Sequence, residues 1–315
     1  MNDLKNFAII GSGSWGTAIA GHIAKVTNSV MLYSRSKEIM AEINNHQTNT
    51  RFFGNIILPK NIVATDDMGQ IAYQDVIFIV VPSTGFSEIL DELAAHNLSP
   101  DKVIVIATKG IASDPVQLFS EEFQTKFKNP FAFFSGPNLA KEIAEGKFAS
   151  ATISSNDINL ANSLAKKLST ANFEITTTDD IITIQIAAIV KNIIAIKSGI
   201  LQASDAGENA RAWLITKGLQ EILQISKAMG GKLETLLEPA VVGDLILTCY
   251  SMESRNTKFG FQFHQNNYSK GFVENYPILV EGVEATKLIK ALISKYKVNL
   301  KDLPIINSVV ELLHG

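Results

Sequence analysis

Phe7-Ala8-Ile9-Ile10-Gly11-Ser12-Gly13-Ser14-Trp15-Gly16-Thr17-Ala18-Ile19-Ala20 is the stretch from which the fold is read. An apolar run of strand length meets three glycines spaced G-x-G-x-x-G, and small, apolar residues suited to a helix follow at once. This is the strand, turn and helix start of a dinucleotide-binding βαβ unit. Gly11 permits the tight turn. Gly13 carries no Cβ, so a pyrophosphate can approach the backbone. Gly16 lets the helix pack closely on the strand. The free N–H groups and dipole at the helix start then face the phosphates. Trp15 has two readings in so crowded a turn: packing against the sheet edge, or walling the cofactor site.

Outward from that turn, the first half of the chain reads as alternating strands and helices. Val30–Tyr33 is a second strand, followed by Ser34, Arg35, Ser36 and Lys37. An NAD-preferring fold usually places a carboxylate here for the ribose 2′-hydroxyl, whereas a cation suits the 2′-phosphate of NADP(H). Arg35 therefore favours NADP(H), with NAD(H) possible. The other reading is that Arg35 merely covers the adenine, and Glu38 lies one helical turn away. Residues 38–46 read as a helix. The continuous apolar runs Val76–Val81 and Val103–Ala107 suit a sheet buried on both faces. Phe86–Ala95 is a crossover helix. Strand ends deliver Pro82-Ser83, Lys109-Gly110 and Ser135-Gly136-Pro137-Asn138 toward one crevice, because open α/β sheets bind ligands at the carboxyl ends of their strands. A further strand pair, Ala149–Ser154 and Phe173–Thr177, flanks a helix over Leu160–Leu168. After Thr178 helical periodicity takes over, at 180–203, 208–229, 232–238, 281–296 and 304–313. The expected organisation is a Rossmann-like dinucleotide domain over 1–180 and an all-helical substrate domain over 181–315.

Bulk properties narrow the function. The 315 residues suit two domains. At a net charge of -3 no face needs to be strongly basic, so bulk charge does not suggest nucleic acid. The single Cys249 rules out an internal disulfide and fits a reducing compartment. The N-terminal apolar run is interrupted by Gly11–Gly16 and lacks the pattern of a signal peptide. Ile181–Ile200 is apolar enough to mimic a membrane span, but Gln185, Lys191, Asn192 and Lys197 indicate a buried helix instead. The five histidines form no metal-ligand spacing, so no metal is expected.

Several groups could carry chemistry. Lys109 stands at a strand end, where a solvated lysine is the ordinary reading. Lys191 lies midway along an apolar helix, so it must find a partner, shift its pKa or snorkel to the helix edge. A functional reading makes it a general acid/base. Asp244 is either the N-cap of the next helix or a carboxylate that orients Lys191. Ser254-Arg255-Asn256 is either a polar loop or a set of hydroxyl, guanidinium and amide donors for phosphate. Val280-Glu281-Gly282 places a carboxylate before a glycine, where a helix cap is the plain alternative.

Read in order, these motifs resemble the soluble bacterial-type NAD(P)-dependent glycerol-3-phosphate dehydrogenases over nearly the whole chain. The resemblance is carried by Gly11 to Ala18, Val81-Pro82-Ser83, Thr108-Lys109-Gly110-Ile111, Ser135 to Asn138 with Ala140 and Glu142, Lys191-Asn192, Gly207 to Ala212, Gly243-Asp244-Leu245 through Cys249, Ser254-Arg255-Asn256 with Phe259-Gly260, and Val280-Glu281-Gly282. It implies interconversion of dihydroxyacetone phosphate and sn-glycerol 3-phosphate, feeding phospholipid synthesis in the cytoplasm, by a homodimer. It implies that Lys191 is the proton donor and acceptor, that Lys109 is a second active-site lysine that also lowers the pKa of Lys191, and that Asp244 orients Lys191. Gly136, Asn138, Asp244, Ser254, Arg255 and Asn256 match substrate-contacting positions. Ser14, Trp15, Arg35, Lys109, Ala140, Arg255, Leu279 and Glu281 match cofactor-contacting positions. One departure is the lead into Asp244. The family's G-L-A-G-x-G-D is here Glu238-Pro239-Ala240-Val241-Val242-Gly243-Asp244. Lys258 stands where an arginine is common. Two other readings stand beside this one: a related two-domain dehydrogenase of the 6-phosphogluconate or ketopantoate type, and a non-catalytic NADP(H) sensor.

Overall fold

The computed structural model describes residues 4–315. Its ten strands are β1 Phe7–Ile10, β2 Val30–Tyr33, β3 Ile62–Thr65, β4 Val76–Ile79, β5 Val103–Ile106, β6 Ile111–Ser113, β7 Val116–Leu118, β8 Phe131–Ser135, β9 Ala149–Ser154 and β10 Phe173–Thr178. The chain forms two compact units. The first comprises the residues up to Thr108, Phe119–Phe134 and Asn138–Asp179, and the second Lys109–Leu118, Ser135–Pro137 and Asp180–Gly315. Two short segments of the N-terminal half, one of which carries Lys109, thus belong with the C-terminal half.

The first unit is Rossmann-like. Its sheet runs β10-β9-β8-β5-β4-β1-β2-β3, and β1 pairs in parallel with both β2 and β4. The order 3-2-1-4-5 reverses at β1, which puts the Gly11–Gly16 turn at the topological switch point. The sequence explains the sheet. Phe7, Val76, Ile77, Phe78 and Ile79 are wholly buried, which only a strand covered on both faces allows. The helices Ser14–Ile23 and Phe86–Ala94 supply parts of that cover. Ser36, Asp67 and Asp157 each accept a backbone N–H in the first turn of the helix they precede, which fixes where those helices begin.

The second unit is helical apart from the antiparallel pair β6–β7 and is built around Ile181–Ala203. Asp180 caps this helix by accepting the Thr183 N–H at 2.9 Å. By length and composition the helix could cross a membrane, but it is mostly buried among Glu208–Ala228, Asp244–Tyr250, Arg255–Gln265, Glu281–Ser294 and Pro304–His314. Two glycines let it cross Arg255–Gln265 with the backbones in contact. A Cβ on Gly199 would lie 1.9 Å from the Thr257 carbonyl oxygen, and one on Gly260 1.9 Å from that of Ile196. Glu221 is buried and accepts the N–H groups of Ile305 (2.6 Å) and Ile306 (2.9 Å), so a side chain from another helix satisfies the first turn of Pro304–His314.

Local details depart from the sequence reading. The helix expected at 232–238 is a 3₁₀ turn over Glu234–Leu237. The strand expected to reach Val81 ends at Ile79. The polar loop after Ser251 is short, because Ser254 caps a helix that starts at Arg255. The atypical lead Pro239–Gly243 forms a π-helical turn that runs directly into Asp244–Tyr250. Asp244 is therefore the first residue of its helix rather than its N-cap, and its carboxylate is free to engage side chains.

Candidate active site

The dinucleotide turn can be tested on its own geometry. Gly11 has φ +119°, and a Cβ there would lie 2.2 Å from the Val80 carbonyl oxygen. A Cβ on Gly16 would lie 1.8 Å from the carbonyl oxygen of Gly11, so both positions admit only glycine. Gly13 differs: nothing lies within 4 Å of where its Cβ would be. That open space sits at the N-terminus of a ten-residue helix whose first turn has no side-chain cap. Bare N–H groups beside an open cradle fit a pyrophosphate. Trp15 is half-buried and stacks on Phe134 with ring centroids 6.1 Å apart; its buried Nε1 has no partner. Ser12 and Ser34 share a hydrogen bond of 2.7 Å that ties the turn to the end of β2. Arg35 is exposed on one side and ion-paired on the other, to Glu88 at 3.0 Å and Glu92 at 2.6 Å.

The second unit brings three predicted residues together. The Asp244 carboxylate lies between two ammonium groups: Lys191 Nζ donates to Oδ1 at 2.7 Å and Lys109 Nζ to Oδ2 at 2.9 Å. Lys191 also donates to Thr248 Oγ1 at 3.0 Å, and Thr248 in turn bonds Asp244 at 3.3 Å. A lysine ammonium has three N–H donors, and two are engaged here, so one is left over. Burial pulls the Lys191 pKa down to about 8, Asp244 opposes that, and Lys109 adds to it by like-charge repulsion. Desolvation therefore outranks the Lys109 repulsion expected from the resemblance. Burial alone would raise the Asp244 pKa, but Lys109 and Lys191 outweigh it and hold the carboxylate ionised below its usual range. A carboxylate and two lysines so enclosed can hold a proton near neutrality and pass it to an oxygen.

A second buried chain fixes the helices around this cluster. Asn256 Nδ2 donates to Asn192 Oδ1 at 2.8 Å, and Asn256 Oδ1 accepts the Gly282 N–H at 2.9 Å. Asn192 Nδ2 donates to the Ala188 carbonyl at 3.1 Å. A Cβ on Gly282 would lie 2.5 Å from the Asn192 carbonyl oxygen, which accounts for the glycine after Glu281. The Asn256 side chain thus ties three helices together. Arg211 does similar work at the end of the Asp244 helix, donating to the Cys249 carbonyl at 2.9 Å and lying over the Tyr250 ring. Burial raises the Cys249 thiol to about 12, so it is no nucleophile.

The remaining predicted residues are placed as follows. Ser254 accepts the Thr257 N–H at 3.3 Å, and Arg255 is exposed in the first turn of that helix. Gly136 is buried beside the Pro137 ring that faces Gly243. Asn138 donates to the Ser150 carbonyl at 2.6 Å, while its buried Oδ1 has no partner. Ala140 packs against the core of the first unit. Leu279 and Glu281 are half-buried, and Glu281 opens its helix. Among the described residues no group of three His, Cys, Asp or Glu side chains could hold a metal ion. Thr248 was not singled out from the sequence, although its spacing of four from Asp244 on a helix places it on the same face.

A parallel sheet with a glycine cradle at its switch point, joined in one chain to a helical unit with a buried lysine–carboxylate cluster, defines the two-domain dinucleotide-dependent oxidoreductases as a class. Comparison with known proteins narrows this. Residues 6–161 match the N-terminal model, and residues 180–315 the C-terminal model, of NAD-dependent glycerol-3-phosphate dehydrogenase. A glycerol-3-phosphate dehydrogenase [NAD(P)+] of Rickettsia bellii is 48% identical over 313 residues, covering 98% of each chain. One of Rickettsia typhi is 45% identical over 318 residues, covering 100% of this chain and 98% of its own. The crystal structure of glycerol-3-phosphate dehydrogenase from Coxiella burnetii superposes with a TM-score of 0.90 at 33% identity, covering 99% of this chain and 95% of its own. The chain belongs to the NAD-dependent glycerol-3-phosphate dehydrogenase family.

Proposed function

We propose that this protein interconverts dihydroxyacetone phosphate and sn-glycerol 3-phosphate with NAD(P)(H), and that Lys191 moves the proton. The buried Lys109–Asp244–Lys191 cluster carries this reading. Gly11, Gly13, Ser14, Trp15 and Gly16 would hold the coenzyme pyrophosphate, and Lys109, Ala140, Arg255, Leu279 and Glu281 match further coenzyme contacts. Arg35, with no carboxylate among Ser34–Lys37, supports NADP(H) as the favoured form. When bound, the nicotinamide supplies the hydride that reduces the ketone carbon. The ketone oxygen must then gain a proton, and the remaining N–H of Lys191 would give it. In the reverse direction the neutral amine takes the proton back.

Lys109 would stabilise the charge developing on that oxygen, and Asp244 holds both lysines in place. Gly136 and Asn138 match substrate contacts, and the unpartnered Asn138 Oδ1 supports a polar ligand. The phosphate would be held at the Ser254-capped helix start by the Arg255 guanidinium and by backbone N–H groups. Asn256 would act there through its backbone N–H or the second N–H of its side-chain amide, the first being given to Asn192. Exposed Trp213, Leu237, Ile246 and Tyr250 on the second unit support a homodimer. The single buried thiol supports a cytoplasmic setting. Rates with dihydroxyacetone phosphate, measured with NADPH and NADH in parallel, test the reading. Turnover is expected with both and faster with NADPH. Coenzyme binding without any oxidation would favour a sensor instead.

A further inference from the structure

We propose that Glu88 and Glu92 compete with the coenzyme 2′-phosphate for Arg35 and so keep both NADH and NADPH in use. The inference rests on the reading that Arg35 meets the 2′ position. The two glutamates lie four residues apart on Phe86–Ala94 and so share one face of that helix. Each engages a different terminal nitrogen of Arg35: Nη1 pairs with Glu88 and Nη2 with Glu92. Phosphate is gripped by the same paired N–H groups, so a 2′-phosphate can take the fork only by displacing a carboxylate. The Tyr33 hydroxyl donates to Glu92 at 3.4 Å and helps hold it there.

Charge points the same way. Arg35 with its two carboxylates carries a net -1, whereas a 2′-phosphate brings roughly -1.5 to -2 and a 2′-hydroxyl brings none. The cluster therefore resists NADP(H) and is neutral toward NAD(H), although its only cation is the group that favours NADP(H). The neighbouring hydroxyls are neutral and offer no substitute for the guanidinium charge. Ser34 is bonded to Ser12, and Ser36 accepts the Ile39 N–H as a helix cap, which leaves it one neutral O–H to donate. Lys37 is the next cation along and is unchanged in the test below. The pairs are partly exposed, with side-chain exposures of 61% for Glu88 and 33% for Glu92, so each is worth a few-fold in affinity and the two together about tenfold.

The test uses two probes that differ only by the 2′-phosphate, adenosine 5′-monophosphate and adenosine 2′,5′-bisphosphate. Their binding to the whole protein is measured calorimetrically at fixed ionic strength. Replacing both glutamates (Glu88→Gln with Glu92→Gln) is expected to tighten binding of the bisphosphate about tenfold and to leave the monophosphate within twofold. Adding Arg35→Ala should abolish that gain. No tightening, equal tightening of both probes, or a gain that survives without Arg35 would each overturn the proposal. The single Arg35→Ala variant separates the two layers. If it leaves bisphosphate affinity unchanged, the 2′-phosphate reading of Arg35 itself fails. If it weakens that affinity while the glutamate changes do nothing, only the competition fails.

Discussion

Asp244→Asn removes the carboxylate that two lysines share while keeping its shape. In the native protein, Lys191 has fallen from 10.5 to about 8, so its ammonium already costs about 3 kcal/mol relative to water even with Asp244 in place. Without the carboxylate that cost rises until the lysine sheds its proton instead. Deprotonating a lysine at pH 7 costs about 5 kcal/mol, and the native group at about pKa 8 lies one unit above that pH, which limits the added penalty on Lys191 to about 1 kcal/mol. Lys109, part-buried and deprived of its partner, adds about 1 kcal/mol. The total, about 2 kcal/mol, falls below the roughly 3–5 kcal/mol that breaking a buried ion pair costs, because Lys191 escapes the penalty by shedding its proton. At about 2 °C per kcal/mol for a chain of this size, the apparent Tm should drop by about 4 °C at pH 7. The sign of the pH dependence follows. Above about pH 8 the native Lys191 is itself neutral, so its share of the deficit disappears and about 2 °C should remain at pH 9. Thermal denaturation of both proteins across roughly pH 6.5 to 9, which brackets the native Lys191 pKa of about 8, reads this directly. A variant with native Tm at pH 7, or a deficit that stays constant across that window, would refute the electrostatic account of the cluster.

Other expectations concern single positions. Gly260→Ala drives a Cβ to 1.9 Å from the Ile196 carbonyl oxygen, so it should separate two helices and cost about 3 kcal/mol, seen as a fall in Tm. Gly13→Ala has open space and an ordinary φ of -69°, so Tm should hold while NADPH affinity, measured by fluorescence titration, falls about tenfold or more. The pH profile should be directional. Ketone reduction needs the Lys191 ammonium, and kcat/KM should fall above about pH 8; alcohol oxidation needs the amine and should rise through the same range.

What the sequence disclosed follows from how far apart the cooperating residues lie. The glycine turn, the buried strands and the apolar helix at 181–203 are local patterns, and each was legible. Lys191 was conspicuous because a charge inside an apolar helix needs a partner, and Asp244 was an available one. That Asp244 also holds Lys109 was not legible, because 135 residues separate them and nothing local links a strand-end lysine to a distant helix start. The Asn192–Asn256–Gly282 chain joins three helices and left no mark beyond isolated polar residues. The π-helical turn before Asp244 was hidden for a different reason. Pro239-Ala240-Val241-Val242-Gly243 has no periodicity that separates one wide turn from an irregular loop. Arg35 was read from its position after β2, but its two partners lie 53 and 57 residues onward in the crossover helix.

The central claim is that Lys191 moves the proton, and Lys191→Ala tests it most directly. Turnover of dihydroxyacetone phosphate should fall by about 10²- to 10⁴-fold, while NADPH binding, followed by fluorescence, stays within about twofold of the native value. A variant that binds NADPH and still reduces dihydroxyacetone phosphate at the native rate would contradict the mechanism.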